Sequence, residues 1–252
     1  ANNQIFKAER ASNGTWTLPL NLADNISVDG NNCNTPKLAI NSNSQAIITW
    51  EQTDGTHSRI FKAERASNGT WTIPLNIADN ISFNGSGGFE PKVVLNENDE
   101  AIITWHQGDG LFSQIFKAER ASNGTWSLPS SLADNISPTL QHAYSPEIAL
   151  NDNGKAIIVW YQNDGIKNQI FKAERASNGT WTVPASLADN ITIDTGDASF
   201  PRVAMNTNGE SIITWSQHDG SNAQIFKAER ASNGTWTLPL TLEENISPKG
   251  QS

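Results

Sequence analysis

The sequence predicts an all-β fold, a β-propeller, on three observations: an unbroken internal repeat, four strand patterns in each repeat, and a second strand that is apolar on both faces. The segment IFKAERASNGTW occurs five times without a substitution, starting at Ile5 and then every 55 residues. The segment A/S-I-I-T/V-W occurs four times at the same spacing. Repetition at a fixed period of this length is typical of propellers and other repeat folds.

Each repeat contains four predicted strands separated by turn signals. In the repeat that begins at Pro36, these strands are 37–40, 46–52, 60–66 and 70–73. Asp54-Gly55 follows the second strand, and Asn68-Gly69 joins the third to the fourth. Such dipeptides supply the positive φ angles that tight hairpin turns require. No helical periodicity competes with this pattern.

The second strand decides between propeller and open sheet. Ala46, Ile48 and Trp50 lie on one of its faces, and Ile47 and Thr49 lie on the other. A strand sandwiched between neighbouring sheets needs two apolar faces, whereas a half-solvated strand does not. We therefore predict one domain, 1–252, with four complete blades, an extra half blade, and closure into a four- or five-bladed ring. The predicted units are a half blade, 1–35, and blades 36–90, 91–145, 146–200 and 201–252.

Composition and charge exclude several classes of protein. The net charge is −9 and the 17 basic residues are scattered, whereas a nucleic-acid-binding protein needs a clustered basic face. No apolar run reaches about 18 residues, so we expect no membrane insertion. Cys33 is the single cysteine, and the four histidines show no metal-ligand spacing. We expect no disulfide within the chain, no metal and no cofactor.

The turn between the third and fourth strands carries a resemblance. Ser12-Asn13-Gly14-Thr15-Trp16 and its copies resemble a degenerate Asp-box, the hairpin motif of sialidase-like propellers, although the Asp and one residue after the Gly are absent. The pattern AIITW-x-Q-x-DG followed by IFKAER is similar to repeats of large secreted bacterial propeller proteins. The resemblance extends to propeller lectins. It implies a propeller architecture and a secreted, extracellular protein of bacterial origin.

The strand pairs do not occur in equal numbers. The first-and-second pair occurs four times, whereas the third-and-fourth pair occurs five times. Because residues 5–16 and 225–236 are identical, either segment can complete the last blade and leave the other as a spare hairpin. Unpaired strand edges recruit other chains. We expect a homo-oligomer formed by strand or hairpin exchange, or a piece of a longer array.

Variation between repeats is confined to two kinds of connection. The variable segments are 28–35, 83–90, 138–145 and 193–200, together with 51–59 and its equivalents. In a propeller blade these two connections emerge on the same face, and loops on a rigid scaffold commonly carry binding sites. The alternative is neutral drift of exposed loops. This face is the predicted binding surface.

The recurring pattern W-x-Q-x-D-G supplies candidate ligand-binding residues on that face. An aromatic ring stacks on the apolar face of a sugar, and an amide and a carboxylate bind its hydroxyls. Four copies would give a multivalent lectin. The alternative is that Trp is core, Gln binds loop backbone and Asp-Gly is a turn. The candidates are Trp50, Gln52, Asp54, Trp105, Gln107, Asp109, Trp160, Gln162, Asp164, Trp215, Gln217 and Asp219.

The repeated Lys-Ala-Glu-Arg segment and the scarcity of other arginines bear on function. Alternation places Lys7 and Glu9 on one face of the third strand and Arg10 on the other, so we expect ion pairs between blades or at the solvated edge. Outside the repeated segment only Arg59 and Arg202 exist, whereas the sialidase resemblance implies an arginine cluster.

A paired-carboxylate glycosidase stays open, because Glu51, Glu90 and Glu147 lie on the variable face, although nothing singles out a pair. Because the arginine cluster is absent and no carboxylate pair stands out, we predict a non-catalytic, lectin-like module that binds glycans or a cell-surface protein. The alternative is a structural, protein-interaction or engineered scaffold that oligomerises through its spare hairpin.

Overall fold

The computed structural model describes residues 2–247, which form four sheets of four strands and one sheet of two. None of the helices in this range is long and apolar enough to cross a membrane. A 3₁₀ turn follows each sheet, at Leu22–Asp24, Ile77–Asp79, Leu132–Asp134, Leu187–Asp189 and Leu242–Glu244. The strands are β1 Glu9–Arg10, β2 Trp16–Thr17, β3 Cys33–Ile40, β4 Ala46–Thr53, β5 Ser58–Arg65, β6 Trp71–Thr72, β7 Gly88–Leu95, β8 Ala101–Gly108, β9 Ser113–Arg120, β10 Trp126–Ser127, β11 Ala143–Leu150, β12 Ala156–Asn163, β13 Asn168–Arg175, β14 Trp181–Thr182, β15 Ala198–Met205, β16 Ser211–His218, β17 Ala223–Arg230 and β18 Trp236–Thr237.

Each four-stranded sheet is antiparallel with its strands in chain order, which confirms the predicted all-β class and strand count per repeat. We call the sheets β3–β6, β7–β10, β11–β14 and β15–β18 the first to fourth blades. Successive blades pack on one another through their inner strands: β3 and β4 contact β7, β7 and β8 contact β11, and β11 and β12 contact β15.

Two-faced second strands form the core between blades. Ile47 and Ile60 of the first blade pack against Ile103, Trp105 and Phe116 of the second blade, and all five side chains are buried. The tryptophan and phenylalanine of each blade also stack, with ring centroids 6.0–6.3 Å apart. The repeat therefore builds one interface several times, as the apolar pattern of the second strand predicts.

The first strand of each blade begins earlier than predicted. β3 starts at Cys33 rather than at residue 37, and its pairing with β4 shifts between Asn34 and Lys37. Pro36 has no N–H to donate, and a β-bulge accommodates it inside the strand. The predicted boundary between residues 90 and 91 consequently falls inside β7. Residues 248–252 of the last predicted unit lie outside the described residues.

The repeated Lys-Ala-Glu-Arg segment forms the predicted ion pairs between blades. Glu9 accepts bonds from Arg65 Nε at 2.8 Å and from Trp71 Nε1 at 2.8 Å, both on the blade that follows it. Lys7 lies 5.2 Å from the centre of the Trp71 ring. The same pairs recur as Glu64 with Arg120 and Trp126, Glu119 with Arg175 and Trp181, and Glu174 with Arg230 and Trp236.

The spare hairpin is the N-terminal one, β1–β2, which packs on the first blade. At the other end of the array, Ile212 and Ile225 of the fourth blade are 49% and 43% exposed, whereas their first-blade equivalents Ile47 and Ile60 are 2% and 0% exposed. Both ends of the array therefore present surfaces that the same repeat buries elsewhere.

Candidate functional site

The structure places the predicted sugar-stacking tryptophans in the blade core. Trp50, Trp105, Trp160 and Trp215 are fully buried, and each Nε1 donates to the glutamine two residues later at 2.9–3.1 Å. A ring without exposed surface has no face to offer a sugar. The predicted platform is therefore corrected: these rings hold the blades together.

The glutamines and aspartates of the same pattern hold loops. Nε2 of Gln52, Gln107, Gln162 and Gln217 donates to the carbonyl of Val28, Phe83, Pro138 and Ile193 respectively. Oδ1 of Asp54, Asp109, Asp164 and Asp219 accepts backbone N–H groups of the following turn at 2.7–2.8 Å. Burial opposes ionisation of Asp54, yet bonds from His57, Thr56 and Arg59 hold its pKa below the usual range. The pattern shapes the variable loops, and its glutamines, being buried, do not line a site.

The variable segments nevertheless gather at one end of the blades and form two neighbouring clefts. The first cleft, of about 490 Å³, lies between the first and second blades, and Glu51, His57 and Asn34 line it. The second cleft, of about 340 Å³, lies between the second and third blades. Gly87 and Phe89 line both clefts. The sequence comparison between repeats thus points to the end of the molecule that carries the clefts.

Aromatic rings form the wall of the second cleft. Phe89 lies 5.6 Å from His106, His106 lies 5.1 Å from Tyr144, and Tyr144 stacks on His142 at 5.6 Å. Tyr161 adds a further ring 5.8 Å from Tyr144. His142 Nδ1 accepts the Ser113 N–H at 3.0 Å, as well as facing the Tyr144 hydroxyl at 3.1 Å. A wall of rings with polar edges suits the alternating apolar and hydroxyl surfaces of a sugar.

Two glutamates meet beside this wall. The Glu90 N–H donates to Glu51 Oε1 at 2.7 Å, and the Thr35 hydroxyl donates to the same oxygen at 2.7 Å. Glu90 Oε2 accepts the Ser145 hydroxyl at 2.9 Å. Glu90 occupies the bulge of β7 with a φ of 54°, a left-handed conformation that costs a non-glycine residue about 1–2 kcal/mol. The Glu90 side chain is 47% exposed, whereas Glu51 is buried.

Among residues 2–247, His106 is the residue with a buried side-chain polar atom that has no hydrogen-bond partner. Its Nδ1 has no hydrogen bond and lies 3.7 Å from Glu90 Oε2. Burial lowers the pKa of His106 to about 4, although the charge of Glu90 opposes the shift. The ring is therefore neutral near pH 7. Buried polar atoms are nearly always satisfied, so an open Nδ1 beside a carboxylate and a cleft points to a ligand hydroxyl.

The His106 pKa makes a testable difference to stability. Because the folded-state pKa lies below the ordinary value of 6.5, the unfolded chain binds a proton first as the pH falls, and the free energy of unfolding decreases between pH 6.5 and about 4. We expect His106→Gln to show a smaller loss of melting temperature over this range than the parent. His218→Gln, at an exposed histidine, is the control and should retain the parent's dependence. Equal pH dependence of His106→Gln and the parent would contradict this assignment.

The arginines outside the repeat are occupied. Arg59 is buried, pairs with Asp54 at 2.7 Å and donates to the Phe83 and Ser86 carbonyls. Arg202 pairs with Glu147 at 3.0 Å, and Lys92 reaches the same carboxylate at 2.6 Å. Within residues 2–247, no group of three His, Cys, Asp or Glu side chains is arranged to hold a metal ion. The clefts therefore have acidic and aromatic linings without an arginine cluster.

The sequence places Glu51 and Glu90 on the variable face without singling out a pair, and the four histidines, His106 among them, show no metal-ligand spacing. The sequence does carry a signal for these residues. At each of these positions the residue type differs from blade to blade. Glu51, for example, corresponds to His106, Tyr161 and Ser216. The blades bring these residues, which lie far apart in the chain, to one end of the array.

The fold is shared with solved structures of carbohydrate-acting enzymes. No protein-family model and no curated protein matches the sequence. A Hadza microbial sialidase is 13% identical with a TM-score of 0.55, over 85% of this chain and 47% of its own. The α-L-arabinanase of Penicillium chrysogenum is 14% identical with a TM-score of 0.52, over 84% of this chain and 68% of its own. The α-L-arabinofuranosidase of Fusarium graminearum is 12% identical with a TM-score of 0.52, over 84% and 67%.

These similarities confirm the predicted β-propeller architecture. They also correct the functional prediction. The expected non-catalytic, lectin-like module and its alternative, a structural scaffold, are contradicted by structural neighbours that are glycoside hydrolases. The expectation that the chain is not an enzyme is wrong on the same ground. At 12–14% identity the similarity shows the fold alone.

Proposed function

We propose that this chain hydrolyses a glycosidic bond at the two clefts, with Glu90 as the reacting carboxylate and Glu51 as the second carboxyl group. The observation that carries the proposal is the half-exposed Glu90 carboxylate beside the unpartnered Nδ1 of buried His106, against an aromatic wall. The glycoside hydrolases that share the fold support the same chemical class.

The environments of the two glutamates suit different roles. Glycosidases use one carboxylate as nucleophile or base and a second carboxyl group as acid. The Glu90 side chain is half-exposed beside the aromatic wall, and the Ser145 hydroxyl donates to one of its oxygens, so it takes the role of nucleophile or base. Glu51 is buried and accepts two hydrogen bonds on Oε1, which leaves Oε2 to deliver a proton to the leaving oxygen. The bond from the Glu90 backbone N–H holds the Glu51 carboxylate beside the backbone of Glu90.

The charge of the site favours a neutral sugar. The Glu90 carboxylate repels an anionic substrate, and Arg59 and Arg202 pair with Asp54 and Glu147. We therefore infer a neutral substrate of the arabinan type in preference to a sialoside. His106 Nδ1 accepts a sugar hydroxyl, and Phe89 and Tyr144 pack on the sugar ring.

The test is release of reducing ends from linear arabinan and arabino-oligosaccharides, with a sialoside as the charged comparison. We expect Glu90→Gln and Glu51→Gln each to lower kcat by roughly 10²-fold or more, because each removes one of two essential carboxyl groups. The melting temperature of Glu90→Gln should stay near that of the parent.

Glu243→Gln is the matched control, since Glu243 is an exposed glutamate in the last 3₁₀ turn, away from the residues that line either cleft. It should retain the parent's rate. Absence of product from every neutral glycan offered, or full activity of Glu90→Gln, would overturn the proposal.

A further inference from the structure

The N-terminal hairpin is half of a blade in the described structure. In the first blade, the third strand pairs on its inner side with the second strand, Ile60 opposite Glu51 through Arg65 opposite Ala46. The equivalent residues 5–10 pair only with β2, on the outer side, through Glu9 and Arg10. Within residues 2–247, no strand lies along their inner side. Such an edge offers free N–H and C=O groups to another strand.

This edge is already held in the position of a blade. Glu9 accepts bonds from Arg65 and Trp71, as the equivalent glutamate does between complete blades. The Ile26 N–H donates to the Ile5 carbonyl at 2.8 Å, which matches the bond from Ile81 to Ile60. A strand that docks here therefore meets a pre-formed partner, and little ordering entropy opposes binding.

Apolar surface of the first blade lies open beside the edge. Ile103, Ile158 and Ile213 are fully buried, because an isoleucine of the preceding blade's second strand packs on each of them. Their first-blade equivalent, Ile48, is only partly buried. Leu38 is 67% exposed, whereas its equivalents Val93, Ile148 and Val203 are packed against the core.

The edge and the apolar surface lack the same element, a first-and-second strand pair of this repeat. We propose that they bind a two-stranded hairpin with that sequence pattern, supplied by a repeat of the same type on a separate polypeptide. Strand addition of this kind gains affinity from main-chain bonds and specificity from alternate side chains.

The repeat fixes the register of the bound hairpin. The tryptophan of its second strand lies opposite Phe6, as Trp50 lies opposite Phe61 with ring centroids 6.0 Å apart. Phe6 is exposed, whereas Phe61 is fully buried, so the partner covers an aromatic ring that the chain leaves open. The isoleucine at the position of Ile47 then packs on Ile48.

The test uses a synthetic peptide of residues 88–108, which is one such strand pair, added to the intact chain. We expect saturable binding in calorimetry and at least about tenfold slower hydrogen exchange of the Phe6 and Ala8 amides, because the added strand pairs with this edge. The same peptide with Ile102→Asp places a carboxylate on Ile48 and should not bind.

A protein variant locates the site independently of the peptide. Leu38→Lys changes an exposed side chain, so the fold is retained, and it should weaken binding by about tenfold or more. Leu75→Lys, at a leucine that is 84% exposed in another part of the surface, should bind as the parent does. No heat of binding, unchanged exchange at residues 5–10, or equal affinity of Leu38→Lys and Leu75→Lys would overturn the proposal.

Discussion

Replacement of Trp105 by alanine should lower the free energy of unfolding by about 3–5 kcal/mol, the range for aromatic-to-alanine changes in a core. The ring is fully buried between the first and second blades and stacks on Phe116. Its Nε1 donates to Gln107, whose amide in turn binds the Phe83 carbonyl. The substitution therefore leaves a cavity and also removes the anchor of a cleft loop. Urea denaturation followed by circular dichroism measures the loss.

Trp16→Ala is the matched control, since Trp16 is 56% exposed in the N-terminal hairpin. We expect a loss of no more than about 1 kcal/mol, the scale for surface substitutions. Equal losses for the two variants would contradict the assignment of Trp105 to the core. If Trp105→Ala kept the stability of the parent but lost sugar binding, the result would favour Trp105 as a sugar-stacking residue over its assignment to the core.

The second large effect concerns the glutamate of the repeated segment. Glu64→Ala should lower the free energy of unfolding by about 2–4 kcal/mol, less than for a fully buried pair because the carboxylate is partly exposed. Glu64 accepts Arg120 Nε at 2.9 Å and Trp126 Nε1 at 2.9 Å, and it also pairs with Lys62. Burial opposes its charge, yet these bonds hold the pKa of Glu64 below its usual value. Removal leaves the Arg120 guanidinium and the Trp126 N–H without this acceptor.

The chain contains an internal control at the same repeat position. Glu229 bonds Lys227 at 2.6 Å, and in the described structure it contacts neither an arginine nor a tryptophan of a following blade. Glu229→Ala should therefore cost no more than about 0.5 kcal/mol, as exposed pairs do. Chemical denaturation of the two variants side by side isolates the inter-blade bonds, because the local sequence is identical. Similar losses would show that the inter-blade bonds contribute nothing.

Much of the architecture could be predicted because the same strand and turn patterns occur in every repeat. The two apolar faces of the second strand, Ile47 and Ile48 among them, predicted sheets packed on both sides. Alternation in Lys-Ala-Glu-Arg predicted ion pairs between blades, and Arg65 with Glu9 forms one. The start of β3 at Cys33 was missed, because Pro36 marks a break in ordinary strands and its accommodation in a bulge depends on the partner strand.

The candidate site could be predicted in place but not in composition. Variation between repeats indicated the correct end of the blades, since the clefts are lined by those segments. The recurring pattern W-x-Q-x-D-G was predicted to bind a ligand, but its residues stabilise the scaffold. His106 and Tyr144 meet because neighbouring blades place their first and second strands side by side, which no local pattern expresses.

The sequence by itself determined the all-β class, the 55-residue period, the strands of each blade and the chemistry of the inter-blade contacts, because identical segments must fold and pack alike. Only the tertiary structure decided which side chains face a cleft and which are buried. Burial depends on what the neighbouring blade covers: Trp50 is enclosed by the hairpin that precedes it, and Glu90 stays open where a bulge turns it outward. The same dependence leaves the edge of residues 5–10 uncovered within residues 2–247, since an identical strand is enclosed only where another strand lies beside it.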